Sequence, residues 1–212
     1  MCGRYEFNQE EALLNHFYQR ANDPDIQTGT LYPGQVVLTL SANPDQSVHA
    51  RGMEWGYAGF NKGQLLINAR SESITDKATF QADFHYRRCL FPMSSYYEWT
   101  KYKERYRFSS NDILYVGGCY QSPRSDQSHP RAVLMTQAAN PLAQEVHHRM
   151  PYFVQAKDIR SWLNDYDFAR HYQESNAQLF MEKETDNKNF RNMTLNLKDW
   201  KIKKRKAAQP SL

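Results

Sequence analysis

The sequence predicts an α+β fold, mainly an antiparallel β-sheet or barrel with flanking helices. Strand-like runs outnumber helical patterns along the chain. Few long helical stretches lie between those runs, which favours antiparallel neighbours over crossover units. Aromatic residues make up 14% of the chain, fourteen of them Tyr, a content suited to a packed domain and not to a disordered one.

In chain order, residues 8–20 read as a helix. Asn8 stands at the cap, Glu11 at the capping-box position, and Leu13, Leu14, Phe17 and Tyr18 share one face. Residues 21–34 read as a loop ending at Pro33-Gly34. Strands follow at 35–41, 47–54, 63–69, 88–93, 105–109, 113–117 and 131–138. Residues 120–130 form a polar loop between the last two. Asn140-Pro141 opens a short helix ending near Val146, with a capping residue followed by proline at the first helical position. A helix near 157–164 carries Ile159, Trp162 and Leu163 on one side, and 166–182 reads as another amphipathic stretch. Residues 1–200 are expected to form a single domain. Residues 201–212, with Lys201, Lys203, Lys204, Arg205 and Lys206, read as a basic flexible tail.

The formal charge of +4 is mildly basic and permits a polyanionic partner without demanding one. Cys2, Cys89 and Cys119 form no Cys-x-x-Cys pair, and an odd, scattered set argues for a reducing compartment. The start MCGRYEF lacks the apolar core of a signal peptide, and no run reaches the ~18 apolar residues of a membrane span. A cytoplasmic, nucleoid-associated protein without membrane contact is expected, acting as a monomer. The cysteines have no ligand spacing, so no metal and no other cofactor is implied.

The front end carries unusual chemistry. Removal of Met1 leaves Cys2 with an amine and a thiol on adjacent carbons. Their reference pKa values, about 7.7–8.0 and about 8.5, leave part of each nucleophilic near neutrality. An aldehyde gives an imine with such an amine, and the thiol closes a thiazolidine. Taken alone, Cys2 reads as an ordinary residue near a frayed terminus. Three further segments stand out. Asn68-Ala69-Arg70-Ser71-Glu72 leaves an apolar strand, as sites often do, although turn chemistry with a surface ion pair would give the same letters. Arg87-Arg88-Cys89-Leu90 is followed by Tyr96-Tyr97-Glu98-Trp99, where aromatic neighbours could raise the pKa of Glu98, unless Glu98 is simply a sheet-edge carboxylate. His147-His148-Arg149-Met150-Pro151 follows a short helix, where a histidine can shuttle protons or merely face the helix dipole.

Together these segments resemble the SOS-response-associated peptidase domain, the family that includes the abasic-site sensor proteins. The resemblance runs from Cys2-Gly3-Arg4 to Trp162-Leu163 and rests on four motifs in the family's order. It implies that Cys2 forms a thiazolidine with the ring-opened sugar of an abasic site in single-stranded DNA. It further implies that Asn68 positions the sugar or the amine, and that Glu98 transfers protons and could assist self-processing at Cys2. His147 would act in ring opening and imine chemistry. By the same resemblance Arg4, Arg70 and Arg149 hold phosphates, and Trp55 stacks or wedges against bases. His148 takes the variable position of its motif. The chain departs from the family at Tyr57-Ala58-Gly59, at Ser95-Tyr96 and at Gln81, which bears on the DNA groove more than on the covalent step.

The residues also fit rival functions. An amino-terminal-nucleophile hydrolase would use the Cys2 amine as base for its own thiol and pass through a thioester that turns over. A passive single-strand binder would not need Cys2. A peptidase acting on other proteins would need a triad that the sequence does not display.

Overall fold

The computed structural model describes residues 2–123, 125, 127–173 and 175–184. The basic tail at 201–212 lies outside the described residues. Twelve strands are described, together with five α-helices and two 3-10 turns (Ser71–Ser73 and Ala156–Asp158). They run β1 (Tyr5–Phe7), α1 (Ala12–Ala21), β2 (Gly29–Leu31), β3 (Val36–Ala42), β4 (Val48–Trp55), β5 (Tyr57–Ala58), β6 (Leu65–Leu66) and β7 (Asn68–Arg70). There follow α2 (Gln81–Tyr86), β8 (Arg88–Trp99), β9 (Arg105–Gln121), β10 (Arg131–Ala138), α3 (Pro141–Gln144) and β11 (Arg149–Pro151). The chain continues through α4 (Ile159–Asn164), α5 (Tyr166–Arg170) and β12 (Phe180–Glu184).

The strand ladder closes on itself. β8 pairs with β3 and β9, β9 with β10, β10 with β4, and β4 with β3. The fold is therefore an α+β barrel with helices around it, as the sequence predicts. Closure removes the edges that an open sheet would leave unpaired. The pairings are antiparallel except where β10 runs parallel to β4 and to β7.

β8 explains why the site can be buried. Every residue from Arg88 to Glu98 is buried, because other elements cover both faces of the strand. Such a strand reads as a continuous run without alternation. Arg88 is admitted because backbone carbonyls take its charge: Phe84 and His85 in α2, and Trp162 and Leu163 in α4, at 2.6–3.1 Å. A bulge between Met93 and Ser95 breaks the register, and the Ser94 hydroxyl accepts from the Asn8 amide at 2.9 Å. Bulges re-aim the residues that follow, here the half of β8 that carries Tyr96 and Glu98.

Several elements differ from the sequence expectation. Asn8 does not cap α1. Its side chain accepts from the Glu10 amide at 3.1 Å in a local turn, and the helix starts at Ala12. The expected strand at 63–69 splits into β6 and β7, and the 105–109 and 113–117 runs belong to one long β9. The stretch 166–182 is not one helix. α5 ends at Arg170, and the chain returns as β12 along β9, so tertiary pairing overrides the amphipathic pattern. Asn140 does cap α3, accepting from the Ala143 amide at 2.9 Å, with Pro141 at the first turn.

Candidate functional site

β10 is the backbone of the site. On one side it pairs in parallel with β7, placing Leu134 opposite Asn68. On the other it pairs with β11, placing Ala138 opposite Arg149. The Asn68 and His147 motifs, far apart in sequence, are thus brought to the same end of one strand.

Cys2 is fully buried. The Asn68 side-chain amide donates to the Cys2 carbonyl oxygen at 3.1 Å, which ties the front of the chain to β7. The thiol lies 3.8 Å from the Arg4 carbonyl. Burial pushes the Cys2 thiol well above its ordinary pKa, and the Glu98 carboxylate adds to the effect. Such a thiol stays protonated at neutral pH. Buried polar atoms cluster around it. Asn68 Oδ1 and the hydroxyls of Tyr5 and Tyr96 have no hydrogen-bond partner among the described residues.

Glu98, near the end of β8, is also buried. Burial raises its carboxyl above the usual range, and the positive amino terminus of the chain pulls it partly back. His147 moves the opposite way. Burial lowers its imidazole, the amino-terminal charge lowers it further, and Arg149 contributes in both directions. Its Nδ1 lies 3.0 Å from the Arg149 amide and 3.2 Å from the Arg149 carbonyl. Nδ1 accepts from the amide in one tautomer and donates to the carbonyl in the other, and the second leaves the ring's lone pair on Nε2. His148 is exposed and stacks on His147 with centroids 4.4 Å apart. Cys2, Glu98, His147 and His148 all respond to the same amino-terminal charge, that of the unprocessed chain, so the residues that could move protons share one neighbourhood.

The three arginines differ. Arg4 is held between the rings of Tyr32 and Trp99, each centroid 4.7 Å from its guanidinium carbon. Arg70 is exposed, and no hydrogen bond or ion pair engages its side chain among the described residues. Arg149 is already committed. It grips Glu72 in a bidentate pair at 2.6 and 2.9 Å and donates to the Thr136 carbonyl at 2.7 Å. Trp55 requires a correction. It is fully buried, packs on Tyr5 with centroids 5.3 Å apart, and donates its indole N–H to the Ile67 carbonyl at 3.1 Å. An indole in this position has no open face for a base and instead anchors the chain just before Asn68.

Sequence reasoning missed Thr136, Tyr32 and the partnership of Arg4 with Trp99. None of the three falls in a site motif together with its partner, so no local signal marks the contacts. Among the described residues one group could offer three metal-ligating atoms, Asp23, Asp25 and His129, within 4.8 Å of one another. The His129 Nε2 to Asp23 contact of 3.0 Å accounts for it as a partly buried hydrogen bond.

The chain was compared with known proteins. The family profile for SOS response associated peptidase (SRAP) matches residues 1–196. An abasic site processing protein, YoqW, of Bacillus subtilis is 27% identical over 181 residues, covering 77% of this chain and 80% of the relative. A second from the same organism, YoaM, is 27% identical over 192 residues, covering 82% and 84%. A crystal structure of a protein from Bordetella bronchiseptica superposes with a TM-score of 0.70 at 17% identity, covering 87% of this chain and all of the other. One from Bacteroides thetaiotaomicron gives 0.66 at 16% identity, covering 87% and 93%. At these identities the two structures speak for the fold alone. No helix among the described residues is long and apolar enough to cross a membrane.

Proposed function

This chain belongs to the SOS response associated peptidase family, and from that premise we propose that it processes abasic sites by capturing them covalently through Cys2. The relatives that match most of its length are named for abasic site processing. The observation that carries the chemical reading is the opposed pair of shifts beside a tethered Cys2. The Glu98 carboxyl is raised and the His147 imidazole is lowered. Each shift favours the uncharged form of its group, a carboxylic acid able to give a proton and a neutral imidazole able to take one.

In the proposed reaction, His147 takes the proton of the anomeric hydroxyl while Glu98 protonates the ring oxygen, and the closed sugar opens to its aldehyde. The Cys2 α-amine, freed by removal of Met1, adds to the carbonyl carbon. The resulting hydroxyl leaves as water with a proton from an acid, giving an imine. Sulfur then adds to the imine carbon, and the thiol proton passes to nitrogen. One water is released, and nothing is oxidised or reduced. A buried thiol that stays protonated suits this order: nitrogen captures, and sulfur then seals the ring with its own proton.

Single-stranded DNA is the proposed substrate. Arg70 is open to a phosphate, and the Tyr32–Arg4–Trp99 stack offers charge and aromatic surface without reading base edges. The test is to incubate mature protein, its terminus verified by mass, with a single strand bearing one abasic site and then denature it. A band that survives denaturation in wild type and is lost in Cys2→Ala is the expected result. A thioester that turns over, or binding indifferent to Cys2, would replace this reading with one of its rivals.

A further inference from the structure

β8 does not stop at Glu98. Trp99 follows it and packs against Arg4, and the chain then turns through residues 100–104 into β9. Thr100 builds that turn. Its hydroxyl accepts from the amides of Tyr102 and Glu104 at 3.2 and 3.3 Å. Its own amide donates to the Glu104 carbonyl at 3.0 Å, and its carbonyl accepts from the Lys103 amide at 2.9 Å. So fixed, the turn displays Lys101, Tyr102 and Lys103 to solvent. Tyr102 is 73% exposed, and Lys101 Nζ stands 5.0 Å from its ring centroid. Lys103 has a φ of 65°, a left-handed position in which glycine or asparagine is the relaxed choice. The turn thus keeps a lysine where its backbone does not favour one. Glu104, the one acid of the turn, is already engaged. Lys183 donates to it at 2.6 Å and the Thr100 hydroxyl at 3.4 Å, and the lysine holds its carboxyl below the usual range. What remains on show is two cations and an aromatic ring, the combination that tracks a phosphate chain and stacks on a base of any kind.

The turn also lies in a useful place. Cys2 is tied to β7 through Asn68, and its thiol reaches the Arg4 carbonyl on β1's side. That same carbonyl accepts from the Tyr97 amide of β8 at 3.0 Å. Arg70 follows Asn68 on the β7 side, whereas Trp99 and the turn follow Glu98 on the β8 side. A strand with its abasic nucleotide at Cys2 leaves it in two directions, toward Arg70 and toward the Tyr32–Arg4–Trp99 stack. The turn lies beyond the stack, on the second path.

We propose that the β8–β9 turn is a subsite for one flank of a single-stranded polynucleotide, with Lys101 and Lys103 on phosphates and Tyr102 stacked on a base. This assignment rests on the proposed single-stranded substrate and carries its track past the last motif residue, Trp99. Contacts to phosphates and to a ring face read no base edge, so the subsite has no sequence preference.

The test is equilibrium binding of the full chain, at several salt concentrations, to single strands carrying an unreactive tetrahydrofuran in place of the abasic sugar. Wild type is compared with Tyr102→Phe, Tyr102→Ala and the double variant Lys101→Gln with Lys103→Gln. On strands with both flanks, the double variant should lower the salt slope by about 1.4, the value for two single-strand phosphate contacts. Tyr102→Ala should weaken binding by on the order of fivefold or more, and Tyr102→Phe should bind as wild type, because stacking needs the ring and not the hydroxyl. Both losses should vanish on strands lacking one flank, the same flank for each variant, and persist on strands lacking the other. Variants that bind both-flank strands as wild type does would overturn the subsite. Losses independent of which flank is present would overturn it equally, since they mark a diffuse charge effect. No covalent step enters this measurement. A wild type that bound these strands yet formed no adduct with abasic DNA would sink capture through Cys2 and leave the subsite decided, whereas one that bound no single strand would sink both.

Discussion

The molecule buries a cysteine beside a carboxylate twice, and the two places differ in how their polar groups are satisfied. Between α2 and β9, Cys119 lies 3.6 Å from the Tyr57 hydroxyl, which donates to Asp83 at 3.0 Å. Arg87 closes that group with an ion pair to Asp83 at 2.5 Å and a second contact from its Nε at 3.1 Å. Burial pushes the Cys119 thiol up to about 12, and each polar partner there is engaged. At the front end, Cys2 and Glu98 are equally buried. There the balancing charge is the chain's own amino terminus and not an arginine, and the nearby polar atoms of Asn68, Tyr5 and Tyr96 have capacity to spare. Burying a thiol with an acid is therefore insufficient for chemistry. What distinguishes the two places is the unfilled hydrogen-bond inventory around Cys2.

The sharpest way to break this contrast is to exchange the two thiols for hydroxyls. Cys2→Ser should abolish the durable adduct while keeping an imine that borohydride traps, because the amine remains and the sealing sulfur does not. Cys119→Ser should crosslink at the wild-type rate and lose about 1–3 kcal/mol of stability, read by chemical denaturation. Equal adduct yields from the two variants would erase the distinction.

The acids should separate next. Glu98→Gln should slow crosslinking by about 10²–10⁴-fold, the usual range for general acid–base assistance, with binding little changed. Asp83→Asn should leave the rate unchanged and destabilise the fold by about 1–3 kcal/mol, as Arg87 and Tyr57 lose their acceptor; the partial exposure of Arg87 keeps the loss at that scale.

A smaller effect is the pH dependence of stability. The folded state raises the Glu98 pKa, so this group's contribution is fully present below the unfolded carboxylate value of about 4.3 and is lost as pH rises through the folded value. The stability of Glu98→Gln relative to wild type should therefore increase with pH across that window. Parallel wild-type and Gln curves in denaturant titrations between pH 4 and 7 would show that Glu98 is not held in a charge-averse pocket.

The smallest effects concern DNA binding. Arg70→Ala should lower the salt slope on single strands by about 0.7, one phosphate contact. Trp55→Phe should leave binding unchanged and cost about 1 kcal/mol through the lost bond to Ile67. Reversed outcomes would place Trp55 back at the DNA.

These contrasts also mark what the sequence could reveal. The barrel class followed from many strands with few helices between them, and the α3 cap and strand β10 were legible because their signals are local. Cys2, Asn68, Glu98 and His147 stand out in the sequence through the family's motifs. That β10 joins the Asn68 and His147 motifs was not legible, since the parallel pairing of β10 with β7 leaves no mark in either segment. Trp55 looked like a binding residue because its letters cannot say which way the indole points. The helix expected at 166–182 failed for a related reason, since pairing along β9 decides the conformation of β12. Arg149 sits in a motif, yet its hydrogen bonds reach Glu72 and Thr136, 77 and 13 residues away along the chain.

The most direct test of the central claim is the intact mass of the product formed by mature wild-type protein and a single strand carrying one abasic site. The account predicts protein plus DNA minus one water, no added hydrogen on treatment with borohydride, and attachment mapped by fragmentation to both nitrogen and sulfur of Cys2. A borohydride-sensitive mass, an attachment elsewhere, or the same product from Cys2→Ala would contradict it.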